Sequence, residues 1–162
     1  ESSATFNVFY DTTAPAAPVV TGVSPDSGSD NSDGVTNVGA LDISGTAEAN
    51  GLVEIFVGDG SGSGAVSVGT VIADDSGNWT LLAADNTGPA FVDGTTYAVT
   101  AQATDVAGNL GGSSATFNVF YDTTAPAAPV LTGVSPDSGS DNSDGVTNIA
   151  ALDISGTAEA KG

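Results

Sequence analysis

The chain has no cysteine, no histidine and no methionine, and its only basic residue is Lys161. Without cysteine there are no disulfides and no thiolate metal ligands. Without histidine there is no imidazole ligand and no Cys–His or Ser–His pair for nucleophilic catalysis. With twenty acids and a net charge of −19, the chain is a poor partner for nucleic acids or for an anionic membrane surface. No apolar run is long enough for a membrane-spanning helix, and no secretory signal is visible. The run 12–122 contains neither Lys nor Arg, which rules out a Lys–Asn isopeptide crosslink within it. Stiffness there must come from packing or from a metal.

What the sequence does have is a repeat. Residues 1–51 recur as 112–162, an offset of 111, and differ only at Glu1/Gly112, Val20/Leu131, Val38/Ile149, Gly39/Ala150 and Asn50/Lys161. That period is the size of one domain, so the repeat is a tandem of whole modules and not a solenoid of short units. Residues 1–11 read as the last strand of a preceding module, 12–122 as one complete module, and 123–162 as the start of the next. Segment 52–111 occurs once, so two chains cannot pool their ends into a second whole module. About 40 residues bury little core, and the chain reads as a window from a longer array.

Turn-forming residues recur every 8–12 residues or so, and no segment keeps a helical period; this is the pattern of an all-β sandwich. Seven strands are expected: 18–24, 40–46, 52–57, 65–73, 78–83, 96–104 and 114–121. Alternation directs Leu41, Ile43 and Gly45 to one face, and likewise Val53, Ile55 and Val57. Trp79 with Leu81, the row Tyr97, Val99, Ala101 and Ala103, and the row Ala115, Phe117, Val119 and Tyr121 should also face inward. Trp79 and Tyr97 are read as core anchors. Pro15 and Pro18, repeated at Pro126 and Pro129, restrict φ and make the join between modules semi-rigid.

Five phrases occur in order: Ser44-Gly-Thr-Ala-Glu48, Asp75-Ser-Gly-Asn-Trp79, Asp93-Gly-Thr-Thr-Tyr97, Ala103-Thr-Asp-Val-Ala-Gly-Asn109 and Asp122-Thr-Thr-Ala-Pro126. Together they resemble the bacterial immunoglobulin-like tandem repeats of giant repeats-in-toxin and biofilm-associated surface adhesins. The resemblance implies an extracellular immunoglobulin-like β-sandwich on the bacterial cell surface, repeated as a monomeric array and stiffened by Ca²⁺.

Strand direction places carboxylates at two poles. Glu48, Asp74, Asp75 and Asp105 lie in turns at the leading pole, where Asp11 arrives. The loops 26–37, 58–64 and 85–93 lie at the trailing pole, where Asp122 leaves towards Glu159 of the next module. Carboxylate-rich, imidazole-free chemistry suits Ca²⁺, which takes six to eight oxygen ligands. Like charges within ~5 Å repel, and one divalent ion reverses that repulsion. The favoured inter-module site combines Asp11, Glu48 and Asp105 with backbone oxygen near Asn109. Asp122 and Glu159 form its counterpart at the second join, and Asp75 is a further candidate ligand.

The run Asp26-Ser-Gly-Ser-Asp30-Asn-Ser-Asp33 is either a calcium loop without the closing Glu of an EF-hand, or an Asx-rich turn capping backbone N–H groups. The tract Gly58–Gly64 lacks the Lys and the following helix of a phosphate-binding loop and reads as a hairpin loop.

The expected function is therefore a non-catalytic extender whose partners are neighbouring modules. The alternative is a Ca²⁺-dependent module that binds a glycan, a protein or ice. Paired carboxylates serve glycosidases, but none here has an identifiable cleft, so no enzyme is expected.

Overall fold

The computed structural model describes residues 3–59 and 64–160. It divides into two compact units, Glu1–Thr123 and Thr124–Gly162. The expectations for the middle of the 58–64 loop and for Lys161 fall outside the described residues.

Unit 1 is an all-β immunoglobulin-like sandwich. Its strands are β1 (Val19–Ser24), β2 (Val35–Thr36), β3 (Asp42–Thr46), β4 (Leu52–Gly58), β5 (Val66–Ile72), β6 (Asn78–Leu81), β7 (Thr95–Thr104), β8 (Leu110–Ser113) and β9 (Phe117–Tyr121). One sheet has the order β1-β3-β6. The other runs β2-β9-β7-β4-β5, with β8 also paired to β7. Neighbours are antiparallel except β2 and β9, which run parallel with Val35 opposite Phe120 and Thr36 opposite Tyr121.

Alternation explains the core. Val53, Ile55 and Val57 of β4 are buried, as are Tyr97, Val99, Ala101 and Ala103 of β7, Trp79 and Leu81 of β6, Ile43 of β3 and Val119 of β9. The two sheets meet on these side chains, because each strand offers every second residue to the facing sheet. Gly45 lies opposite Trp79 in the β3–β6 pair. A Cβ there would collide with the Val19 carbonyl and the Trp79 ring, so the indole lies where Gly45 has no side chain.

Two features depart from the seven expected strands. The first is β2, a two-residue strand inside the loop expected over 26–37. Buried Thr36 organises it: Oγ1 donates to Pro25 O at 3.1 Å, accepts from Val38 N–H at 3.1 Å, and lies 3.1 Å from Ser27 Oγ. The second is at the last strand, expected over 114–121: β9 covers only Phe117–Tyr121, and β8 is an additional strand at Leu110–Ser113, where none was expected. Ser114 closes on Ala101 through both its N–H and its hydroxyl, and just before it the β7–β8 register shifts between Gln102 and Thr104, as at a bulge.

Unit 2 contains β10 (Val130–Ser135) and β11 (Asp153–Thr157), paired in the register that β1 and β3 use. The loop between them repeats the local bonds of unit 1, with Ser138 against Thr147 and Asn148. Its apolar face is open. Leu131 is 76% exposed where Val20 is 8%, and Ile154 is 70% exposed where Ile43 is 1%. In unit 1 the equivalent face packs against the sheet that contains β4, β7 and β9.

Residues 3–10 form no strand, although their sequence repeats 114–121. Phe6, Val8, Phe9 and Tyr10 are exposed.

Candidate functional site

Three turns converge at the pole where β1 begins. Ala47 N–H donates to Gly77 O at 2.8 Å, and Ala73 N–H to Gly51 O at 3.0 Å. These bonds tie the β3–β4 turn, which carries Glu48, to the β5–β6 turn. Asn109, in the β7–β8 turn, donates from Nδ2 to the Asp11 carbonyl at 3.2 Å, which brings the incoming chain to the same place.

The β5–β6 and β7–β8 turns share one design, Asp-x-x-Gly-Asn, at Asp74–Asn78 and Asp105–Asn109. In each, the Asp N–H donates to the Asn carbonyl, at 2.8 and 3.1 Å. The Gly N–H donates to the Asp carbonyl, at 2.9 and 3.2 Å. The Asn N–H donates to Asp Oδ1, at 2.8 Å in both. The glycine is needed because φ is 83° at Gly77 and 95° at Gly108.

Both carboxyls titrate below the ordinary range. For Asp105 the largest cause is the Asn109 side-chain amide, 2.8 Å from Oδ2. For Asp74 it is the backbone N–H of Asn78. Hydrogen bonds to the ionised form outweigh desolvation in each.

Sequence reasoning singled out Asp75 in the first of these turns, but the carboxylate built into it is Asp74; Asp75 is exposed at its tip. Placing Asp74-Asp-Ser-Gly-Asn78 beside Asp105-Val-Ala-Gly-Asn109 is the signal that finds it.

Asp11, Glu48 and Asp105 line one depression of about 350 Å³, together with Phe9, Val106 and Ala107. The run 12–122 contains no Lys, Arg or His, so no carboxylate in it finds a cationic side chain within its own module. Among the described residues, no three carboxylates converge closely enough to hold one ion. The Asp11 carboxylate accepts Thr13 N–H at 2.9 Å. The Asn109 backbone oxygen, expected near an ion, is taken by Asp105 N–H.

The family model of the bacterial Ig-like domain matches residues 13–123. The chain belongs to this family. No curated protein matches it.

At the other pole of the bacterial Ig-like module, the acids of the 26–37 loop each cap a backbone N–H. Asp26 Oδ2 takes Gly34 N–H at 3.0 Å, Asp30 Oδ1 takes Ser32 N–H at 3.1 Å, and Asp33 Oδ1 takes Val35 N–H at 3.0 Å. These caps are those of an Asx-rich turn. Asp26 Oδ1 is buried without a partner, as is Asp137 Oδ1 in unit 2. Asp122 donates its N–H to Thr36 O at 3.0 Å. In unit 2, Glu159 Oε2 accepts Ala127 N–H at 2.9 Å.

The incoming run is itself docked on the module. Pro15 and Pro18 are buried, and Pro15 lies against Gly111, where a Cβ would stand 2.6 Å from the Pro15 carbonyl oxygen. Pro126 and Pro129, in the same run of unit 2, are exposed.

Proposed function

We propose that this bacterial Ig-like module is a non-catalytic extender in the stalk of a bacterial cell-surface adhesin, and that Ca²⁺ at its leading pole stiffens the join to the module before it. One observation carries the reading: three carboxylates from three separate segments, Asp11, Glu48 and Asp105, open onto a single depression in a module with no basic residue to neutralise them. For a divalent ion to cross-link the incoming chain to the two turns, these segments would have to close on it, since among the described residues the three carboxylates do not otherwise converge closely enough to hold one. The hard oxygen donors fit Ca²⁺ over softer metals. Tandem near-identity and a docked, proline-bearing run suit a spacer whose partners are its neighbours. The extracellular location follows from the same reading.

Extracellular calcium sites have Kd of about 10⁻⁴–10⁻³ M, and tenfold excess ion adds roughly 1.4 kcal/mol per site. For a domain of this size that raises Tm by roughly 5–10 °C. Melting the chain in calcium and in chelator tests it, with Glu48→Gln and Asp105→Asn as variants that should lose the increment. Solution scattering should show a larger maximum dimension with the ion. Identical Tm and identical dimension in both conditions reject the calcium-stiffened stalk.

A further inference from the structure

Asp11 and Asp122 occupy the same place in the repeat, and the chain grips the two copies from opposite sides. Asp122 closes a module. Its N–H donates to Thr36 O at 3.0 Å, and the next N–H, of Thr123, donates to Asp93 Oδ1 at 2.6 Å. Asp11 leads into a module. Its carbonyl accepts from Asn109 Nδ2 at 3.2 Å, and four residues on Pro15 is buried against Gly111. The amide side is therefore held by the module that ends, and the carbonyl side by the module that begins.

We propose that between two complete modules a single aspartate backbone is held from both sides at once, so that the partner seated at this pole is the tail of a preceding copy of the same module and Asn109 is the positioning residue that docks it. The Asp11 carboxylate spans the remaining step by accepting Thr13 N–H, and no ion is required.

The sister turn shows that this docking is specific. Asn78 sits in an equivalent Asp-x-x-Gly-Asn turn, but its amide makes only long contacts to Asp74, 3.3 and 3.4 Å. Asn109 binds Asp105 Oδ2 at 2.8 Å and gives its second amide hydrogen to the incoming chain. Gly111 supports the same docking, since a Cβ there would also press on Pro15 Cγ at 3.1 Å.

The inference rests on the stalk reading only in requiring that modules follow one another. The test is ¹⁵N relaxation of the 162-residue chain in chelator. Order parameters near 0.85 should hold from Asp11 onwards and fall below about 0.6 at Tyr10 and before. Asn109→Ala should drop Asp11, Thr12 and Thr13 below about 0.6, and Asn78→Ala should leave them rigid. Gly111→Ala leaves the Asp105 turn intact and should loosen the same three residues, so it carries the test if Asn109→Ala does not fold. Flexible Asp11–Thr13 in the native chain, or no response to either variant, overturns the proposal. Rigidity that appears only on adding calcium assigns the join to the ion and also overturns it. A response to Asn109→Ala in chelator, with none to calcium, upholds the clamp and rejects the ion.

Discussion

Replacing Gly45 by alanine puts one methyl group where the structure has no room. The new Cβ would meet the Val19 carbonyl and the Trp79 ring, with Cε2 at 2.7 Å. Neither neighbour is a flexible side-chain end: one is backbone in β1, the other an indole 3% exposed in the core. Overpacking of a fitted core costs about 1–3 kcal/mol, and with two rigid neighbours the upper end applies. For a domain near 110 residues, ~3 kcal/mol lowers Tm by roughly 10–20 °C. The chain contains a single tryptophan, Trp79 itself, so its fluorescence reports unit 1 alone during thermal or urea unfolding. Gly22→Ala is the control in the same sheet, because nothing lies within 4 Å of the Cβ that it would gain; it should stay within a few degrees of the native chain. Gly156→Ala, the same position in unit 2, should leave the tryptophan transition where it is. A Gly45→Ala chain melting within about 2 °C of the native one would refute the packing argument, as would an equal loss in Gly22→Ala.

The depressed carboxyls of Asp74 and Asp105 make a signed prediction about acid. A lowered folded pKa gives stability that is present above the unfolded pKa of about 4 and lost as pH falls through the folded value. The Tm gap between the native chain and the Asp74→Asn, Asp105→Asn double variant should therefore shrink below about pH 4; a gap independent of pH rejects it. Thr36→Val keeps the shape but strands the Pro25 carbonyl and the Val38 N–H, costing about 1–3 kcal/mol in urea unfolding, and Thr36→Ser should recover most of the loss. Tyr97→Phe removes the hydroxyl that accepts Val92 N–H at 2.8 Å and should cost about 1 kcal/mol, again read from Trp79; an unchanged midpoint in either variant would show that the bonds contribute nothing.

The sandwich was legible in the sequence wherever strands are half-buried. Val53, Ile55 and Val57, or Tyr97 through Ala103, alternate because one face meets the opposite sheet, and that constraint is local. β2 was not legible. Two residues carry no period, and Val35 and Thr36 become a strand only because β9, distant in sequence, lies beside them. β8 was missed for a related reason: Leu110–Ser113 is a short run with two glycines, and it is a strand only because β7 lies beside it. At the leading pole, that Asp11, Glu48 and Asp105 come to one depression could be reasoned from strand direction. The dominance of Asp74 over Asp75 does not follow from strand direction; it shows only when the Asp-x-x-Gly-Asn runs at 74–78 and 105–109 are set side by side.

One further consequence lies in the exposed segment before Asp11. Residues 4–10 are identical to 115–121, so β7 is offered two strands with the same side chains, and only connectivity distinguishes them. The pairing of β7 with β9 closes between Val99 and Phe117, about 18 residues apart, against about 85 between Tyr10 and Thr95. The difference in ring-closing entropy favours the near copy by about 1.4 kcal/mol. After a pull that unravels the sandwich, a choice that narrow leaves room for refolding with the wrong copy, and faithful recovery depends on how short the path back is.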